Sequence, residues 1–530
     1  MLRKVAILLP VVAAAWTVNV PYRWGSSPVL RTAAGDTIWS FDTVATAGSF
    51  PKAFPIREGG LSDLALDPTD PTGSTFWSIT DRGPLVDLAS RGKVYPAANY
   101  HQKLLRLRAD GDGLVAVEID SVRDAAGRVA SGRVSPLHST GEILFPMPDP
   151  DSALAPPGGT TTLAGDSAGF DFEGVAPDGE GGMFLSDEMG PWIAHLPAPT
   201  ARGQSAWDGT WAMDTVFRPG KGLPAVLYQR DPNSGLEALC RTPGGKLVSV
   251  MQSPLPNAVA RKRRSDMLDS SRLHRIVVRS PDGTVSEYAY LNDTKSGKRQ
   301  ISNIKVGACT ALGEDRIVVV EHGKTKNRAY QIDLWTVDLA GADDIHLESD
   351  PDSLGRIVSG QTLEELAIDS SAFVAAISPA QKTLLLGDIY TYTPWPTTKP
   401  EGLARVDDST VALVSDNDFG IQPVNGDGIP HVLNADERVP VLMYLRTKSM
   451  GAASARTRSS LSAGVRVRSV PGGWEIESQS VSVDILDLAG RRLESVGLEG
   501  GRGFLSRAGL PRGLLVASSG SASALLPSAR

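Results

Sequence analysis

Short apolar runs alternate with turn-forming residues along this chain, and long helical periodicities are few. MFLS (183–186), KLVSV (246–250), RIVVV (316–320) and TVALVS (410–415) are four to six residues long, separated by Gly, Asp and Pro. Such runs predict β-strands. They sit inside a longer unit that recurs at irregular spacing: GLSDLALDPTDPTGSTFWSITDRGP (60–84), FEGVAPDGEGGMFLSDEMGP (172–191), GLEALCRTPGGKLVSVMQSP (235–254), VGACTALGEDRIVVVEHGK (306–324) and PEGLARVDDSTVALVSDNDFG (400–420). Each copy opens on a short strand, turns at Gly or Asp, runs through an apolar strand and ends in a polar cluster. Repeated antiparallel units of this kind predict an all-β fold, a β-propeller whose sheets close around a channel. Allowing for insertions and decayed copies, we expect six or seven blades.

The pattern changes after Tyr444. RTKSMGAASARTRSSLSAG (446–464) has the Ser, Ala and Gly content of a linker, and VRVRSVPGGWEIES, VSVDILDLAGRRLESVGL and RGLLVASSG alternate like the strands of a small C-terminal β-sandwich over 465–530. At the other end, MLRKVAILLPVVAAAWT has Arg3 and Lys4, a short apolar run and small residues, the order of parts in a signal peptide (1–15). The expected product is exported, secreted or held at the cell surface, with the propeller over 16–445. No later segment is long and apolar enough to span a membrane.

Length and charge narrow the function. A chain of 530 residues, 41% hydrophobic, is long enough for one large domain and a smaller one. A net charge of −7 and 54 glycines with 37 prolines argue against nucleic-acid binding and suit a turn-rich protein that gathers cations. The two cysteines, Cys240 and Cys309, leave open a disulfide or two buried thiols.

Candidate chemistry comes from the recurring acids. In a propeller the innermost strands line the channel, so equivalent strand ends converge on one mouth. Asp63, Glu173, Glu237 and Glu401 are expected to meet there, with Asp81, Asp187, Glu188, Glu321, Asp416 and Asp418 at the ends of the following strands. Carboxylates gathered in one place repel unless a cation sits among them, and oxygen donors suit calcium. Each acid taken singly is as well explained as a turn cap.

The segments FEGVAPDGEGGMFLSDEMGPWI, QSPLPN (252–257) with YAYLND (288–293), YQIDLWTVDLAGADDI after Glu321, and KPEGLARVDDSTVALVSDNDFG together resemble the bacterial phytase-like family described by the label "esterase-like activity of phytase". The resemblance runs over about residues 40 to 445. It implies an exported propeller that hydrolyses phosphate or carboxylic esters of small molecules. Its EG…SDE element falls on Glu173, Gly174, Ser186, Asp187 and Glu188; its EG…DN element on Glu401, Gly402, Asp416, Asn417 and Asp418; its D-R-G-P element on Asp81 to Pro84. Where members commonly carry E-R-D, this chain has Glu321, His322 and Gly323.

On this reading Glu173, Asp187, Glu188, Glu401 and Arg82 are the candidate catalytic residues, and Arg82, His322 and Lys324 the substrate contacts. The ten acids above are the candidate calcium ligands, and phosphate-ester hydrolysis is the leading activity. A non-catalytic ligand-binding or surface-binding propeller with structural calcium is the alternative. A serine carboxylesterase is a third reading. GDSAG (165–169) fits G-x-S-x-G around Ser167, but an elbow needs a helix directly after it and FDFEGVAPDGEGG reads as turn and strand. The seven histidines show no metal-binding spacing. RADGDGL (108–114) and NGDGIP (425–430) read as tight turns, and RKRR (261–264) as a solvated loop. The phrases VDILDLAGRRL and LPRGLLV resemble bacterial C-terminal sorting domains, which would give the tail a contact at the cell surface or with secretion machinery.

Overall fold

The computed structural model describes most residues from 54 to 446, three short strands before them and seven strands between Arg466 and Leu526. Residues 1–15, the RKRR run, NGDG at 425–428 and 447–464 lie outside the described residues. Arg446, expected to open the linker, instead ends a strand, Val441–Arg446.

Each recurring segment is the inner hairpin of one antiparallel sheet. The hairpins are Ala65–Leu66 with Thr75–Ile79, Phe172–Pro177 with Met183–Asp187, Leu236–Arg241 with Leu247–Met251, Lys305–Ala311 with Arg316–Lys324, and Pro400–Asp407 with Thr410–Ser415. Numbered 1 to 5 in that order, the sheets each carry at least four strands. Their first strands adjoin in sequence, and that of sheet 5 returns against sheet 1. The arrangement is propeller-like, with five such sheets among the described residues where six or seven blades were expected. The extra length went into insertions. One is a small sheet of Val86–Asp87, Lys93–Tyr95 and Leu144–Pro146; another is a helical excursion, Leu363–Leu366 and Ser370–Ala376, in sheet 4.

The cores lie between neighbouring sheets, which explains why the strands read as continuous apolar runs rather than alternating ones. In RIVVV, Ile317 and Val319 pack toward sheet 3 beside Ala238 and Val250. Val318 and Val320 pack the other way, against Leu403 and Leu413 of sheet 5. The short strand Tyr22–Arg23 pairs along Val441–Arg446, so an N-terminal segment completes sheet 5.

Asp63 closes the ring. Its carboxylate accepts hydrogen bonds from the amides of Leu64 and Val175, both at 2.7 Å, and from that of Leu403, so one buried side chain joins sheets 1, 2 and 5. Gly402 meets the same junction: a Cβ there would lie 2.6 Å from the Asp63 carbonyl carbon and 2.7 Å from the Leu64 nitrogen. Gly174 is held likewise, 2.6 Å from Leu239 Cβ of sheet 3. The glycine of each E-G pair is thus where the next sheet's backbone approaches. Asp63→Ala is expected to destabilise by about 1–3 kcal/mol for each buried amide left without a partner; denaturant titration measures it.

The C-terminal strands form two antiparallel sheets, Arg466–Val470, Gly473–Glu477 and Arg502–Ser506 in one, and Ser482–Asp487, Arg492–Gly497, Leu515–Ser519 and Ala522–Leu526 in the other. Ile476 and Leu505 of the first and Ile485 and Val496 of the second are buried.

Candidate functional site

A β-bulge recurs at one point of the inner hairpins. In sheet 2 the pairing steps from Phe172 opposite Asp187 to Gly174 opposite Ser186, leaving Glu173 out of the ladder. The same step leaves out Glu237 in sheet 3, Gly307 in sheet 4 and Glu401 in sheet 5. In sheet 1 the register shifts between Leu61 and Ala65, with Ser62 in the matching place. A bulge inserts an unpaired residue and re-aims its side chain; here it turns the same position of successive sheets toward one cavity. Glu173, Glu237 and Glu401 offer carboxylate oxygens within 4.8 Å of one another, and so do Asp81, Asp171 and Glu173.

Two further positions follow from the same register. The residue after the second-strand partner is Asp81, Glu188, Gln252, His322 and Asp416 in sheets 1 to 5, and the residue two before the bulge is Gly60, Asp171, Gly235, Lys305 and Lys399. Side chains two apart on a strand share a face, so Asp171, Lys305 and Lys399 accompany the bulged acids. The sequence reading missed all three. Their signal was present in DFE, KVG and KPE, where a charge stands two residues before the bulge.

Asp81, Glu173, Glu188, Glu237, Glu401, Gln252, Lys305 and Lys399 of this set line a cavity of ≈ 450 Å³, where seven carboxylates, Asp87 and Asp418 among them, are set against Arg82, Lys93, Lys305 and Lys399. Gln252 Nε2 donates to Glu188 Oε1 at 2.9 Å and to Glu237 Oε2 at 2.6 Å. Glu188 Oε2 is buried without a hydrogen-bond partner. Lys399 Nζ lies 2.5 Å from Asp416, 2.8 Å from Asp418 and 3.7 Å from Glu401. Arg82 grips Glu142 through two bonds of 2.6 and 2.7 Å and reaches Asp171 at 3.3 Å.

Burial dominates the titration of this cluster. It pushes Asp81 and Asp171 up to about 7, with their mutual charge adding to the rise at Asp81 and Glu188 adding to it at Asp171. It raises Glu237 to about 7 and Asp416, despite Lys399, to about 6. Glu173, Glu188 and Glu401 go well above the ordinary carboxylate range, chiefly through burial and then through the neighbouring acids. Glu142 goes the other way: burial would raise it, but the Arg82 guanidinium holds it at about 2.

Several expected site residues lie elsewhere. Asp63 was aligned with the bulged glutamates, but it stands one residue past Ser62, and a slip of one residue turns a side chain to the other face; its oxygens serve the ring junction. Asp187 accepts hydrogen bonds from the amides of Asp171, at 2.7 Å, and Gly190, at 2.5 Å, so it shapes the turn that carries Glu188. Glu321 accepts from Tyr290 Oη of sheet 3 at 2.5 Å and from Lys382 Nζ of sheet 4 at 2.6 Å, so it joins those two sheets. His322 occupies the slot matching Glu188 but is buried, and its ring lies over Gly307, where a Cβ would come within 3.3 Å of Nε2. Lys324 is exposed, 5.6 Å from the Tyr330 ring. Neither His322 nor Lys324 lines the cavity; Lys305 and Lys399 do. Ser167 stands in a turn leading to the strand Phe172–Pro177, without the helix a nucleophile elbow needs, and its hydroxyl accepts from Arg128. Cys240 and Cys309 are buried thiols.

Residues 56–419 match the model of the phytase-like family, described as esterase-like activity of phytase. No curated protein matches the chain. Among solved structures, the PQQ-bound aldose sugar dehydrogenase of Streptomyces coelicolor aligns at 10% identity over 82% of this chain and 98% of that one, with a TM-score of 0.27. PorZ, a surface component of the type-IX secretion system of Porphyromonas gingivalis, aligns at 12% identity over 91% and 61%, TM-score 0.25. BamB of Moraxella catarrhalis aligns at 12% identity over 69% and 88%, TM-score 0.18. Overlaps this low carry no weight for activity or partners.

Proposed function

We propose, from the premise that this chain belongs to the phytase-like family, that it hydrolyses phosphate esters of small molecules with a divalent cation held at the carboxylate end of its ring. The observation that carries this reading is the meeting of bulged glutamates from three sheets, Glu173, Glu237 and Glu401, within 4.8 Å in a cavity that Lys305, Lys399 and Arg82 also line. Buried like charges need a counter-charge. The donor set is all carboxylate oxygen, which fits calcium and not the softer metals. The buried, unpartnered Glu188 Oε2 on the same wall supports the fit.

Asp81, Asp171 and Glu173 would hold one cation, and Glu173, Glu237 and Glu401 are the neighbouring seat. When bound, calcium would supply charge to the phosphoryl oxygens and acidify a water. Lys305 and Lys399 bring positive charge to the anionic substrate. Arg82, fastened by Glu142, holds Asp171 in place, and Asp81 with Asp171 would hold a proton near neutral pH. No protein nucleophile is used, so Ser167→Ala is expected to leave turnover unchanged on both phosphate and carboxylic esters, measured as kcat/KM.

The rest of the reading is as follows. The ring is a five-bladed propeller followed by a small β-sandwich. The N-terminal segment directs export, and the sandwich makes contact at the cell surface or with secretion machinery. The test is hydrolysis of phosphomonoester and carboxylester substrates by the purified chain, with calcium and after chelation, alongside its Tm. Calcium-dependent phosphate release supports the enzyme. A Tm raised by calcium without hydrolysis of either ester rejects it and leaves a ligand-binding propeller with structural calcium.

A further inference from the structure

We propose that Cys240 and Cys309 are joined by oxidation into a disulfide that ties sheet 3 to sheet 4. These are the chain's two cysteines. They are 69 residues apart in sequence, on the first strands of adjacent sheets, Leu236–Arg241 and Lys305–Ala311, and their Sγ atoms are 3.0 Å apart. With no third cysteine to compete, oxidation within the chain has a single product.

The pair has a route to solvent. Both residues line a second cavity of ≈ 320 Å³, formed with Leu66, Pro177, Arg241 and Arg405. Those neighbours belong to the later parts of the inner hairpins, whereas the carboxylates stand at the bulges near the strand starts. Cys240 is 7% exposed and Cys309 1%, so Cys240 meets the oxidant first. A small-molecule disulfide such as oxidised glutathione is attacked by the Cys240 thiolate, releasing one thiol and leaving a mixed disulfide. The Cys309 thiolate then attacks the Cys240 sulfur and expels the second thiol. The two protein thiols lose two protons and two electrons, and the oxidant is reduced to two thiols. Burial pushes the Cys309 thiol up, so its thiolate forms less readily than at an exposed site, while the neighbouring sulfur at 3.0 Å stands within reach of it.

A cross-link between residues this far apart in sequence restricts the unfolded chain and holds two neighbouring sheets together. Neither cysteine lines the carboxylate cavity, so this inference is independent of the proposed hydrolysis. The experiment takes the full chain, purified without reductant and then equilibrated with oxidised glutathione. It counts thiols after denaturation and maps peptides by mass. The expected result is no titratable thiol and one linked pair of peptides containing Cys240 and Cys309, lighter than the separate pair by two hydrogens. Dithiothreitol should restore both thiols and lower the Tm by several degrees. Cys309→Ser should melt like the reduced protein and ignore dithiothreitol. Two thiols that persist through oxidation, a stable glutathione adduct, or a link between two chains would each overturn the proposal, and the mapping decides on the wild-type chain alone if the variant does not fold.

Discussion

Glu173→Gln is expected to lower phosphate-ester turnover by about 10²–10³-fold while leaving the chelated protein as stable as the wild type or more so. Glu173 belongs to both groups of mutually close carboxylates, with Asp81 and Asp171 on one side and Glu237 and Glu401 on the other. The amide keeps the shape of the side chain and removes its charge, so calcium affinity and turnover should fall together. Stability should not fall with them in the absence of calcium, because the amide brings no charge to a site where burial first, and then Asp81 and Glu237, push Glu173 up and disfavour its ionised form. A merely structural glutamate would give the reverse pair of results: a lower Tm in chelator and unchanged kcat. Asp187→Asn is the control, since Asp187 reaches the cluster only by ordering the turn before Glu188. Thermal melts in chelator and kcat/KM in calcium separate these outcomes.

The second large effect is a pH dependence that calcium reduces. Asp81, Asp171, Asp187 and Glu237 have folded-state values near 7, mainly through burial, against ordinary values of 3.8 for Asp and 4.5 for Glu. A raised folded value means that the native state binds protons more tightly than the unfolded chain. Stability from these groups is therefore complete below about pH 4 and is lost as pH rises through about 7. Asp187 alone, moved from 3.8 to about 7, is linked to about 4 kcal/mol. The calcium-free protein should thus lose stability steadily from pH 4 to 8. Calcium binds the ionised carboxylates of Asp81, Asp171 and Glu237, so saturating calcium should remove their share of the slope in the upper half of that range, while the share of Asp187, which does not line the cavity, persists. Urea titrations at fixed pH, with calcium and with chelator, measure both arms. A flat calcium-free profile would show that the carboxylates are already compensated within the protein.

Much of this site was legible in the sequence. A glutamate at the strand start recurs in three segments, with glycine after it in two and Ala238 in the third, and the structure turns Glu173, Glu237 and Glu401 to one place. The five quoted segments are the inner hairpins of five sheets among the described residues. The misassignments share a physical cause. Strand side chains alternate with a period of two, so an alignment off by one residue selects the opposite face. That is why Asp63 was taken for Ser62, Asp187 was counted with Glu188, and Glu321 was chosen where His322 holds the slot. Bulges compound the difficulty, because an added residue shifts the phase and carries no composition signature of its own. Asp171, Lys305 and Lys399 stand two residues before the bulge, where the residue type varies from sheet to sheet and leaves no repeat to align.

Sheet 4 brings no carboxylate to any of these positions: Gly307, His322 and Lys305 stand where sheet 2 has Glu173, Glu188 and Asp171. Had all five repeats carried the same acids, the field at the centre would have been alike in every direction and suited to a single ion on the axis. With one sector emptied of negative charge and provided with a lysine, the mouth acquires a direction. On the proposed function, a dianion entering the mouth would be repelled from one flank and drawn toward the other, and would turn before it touched the wall.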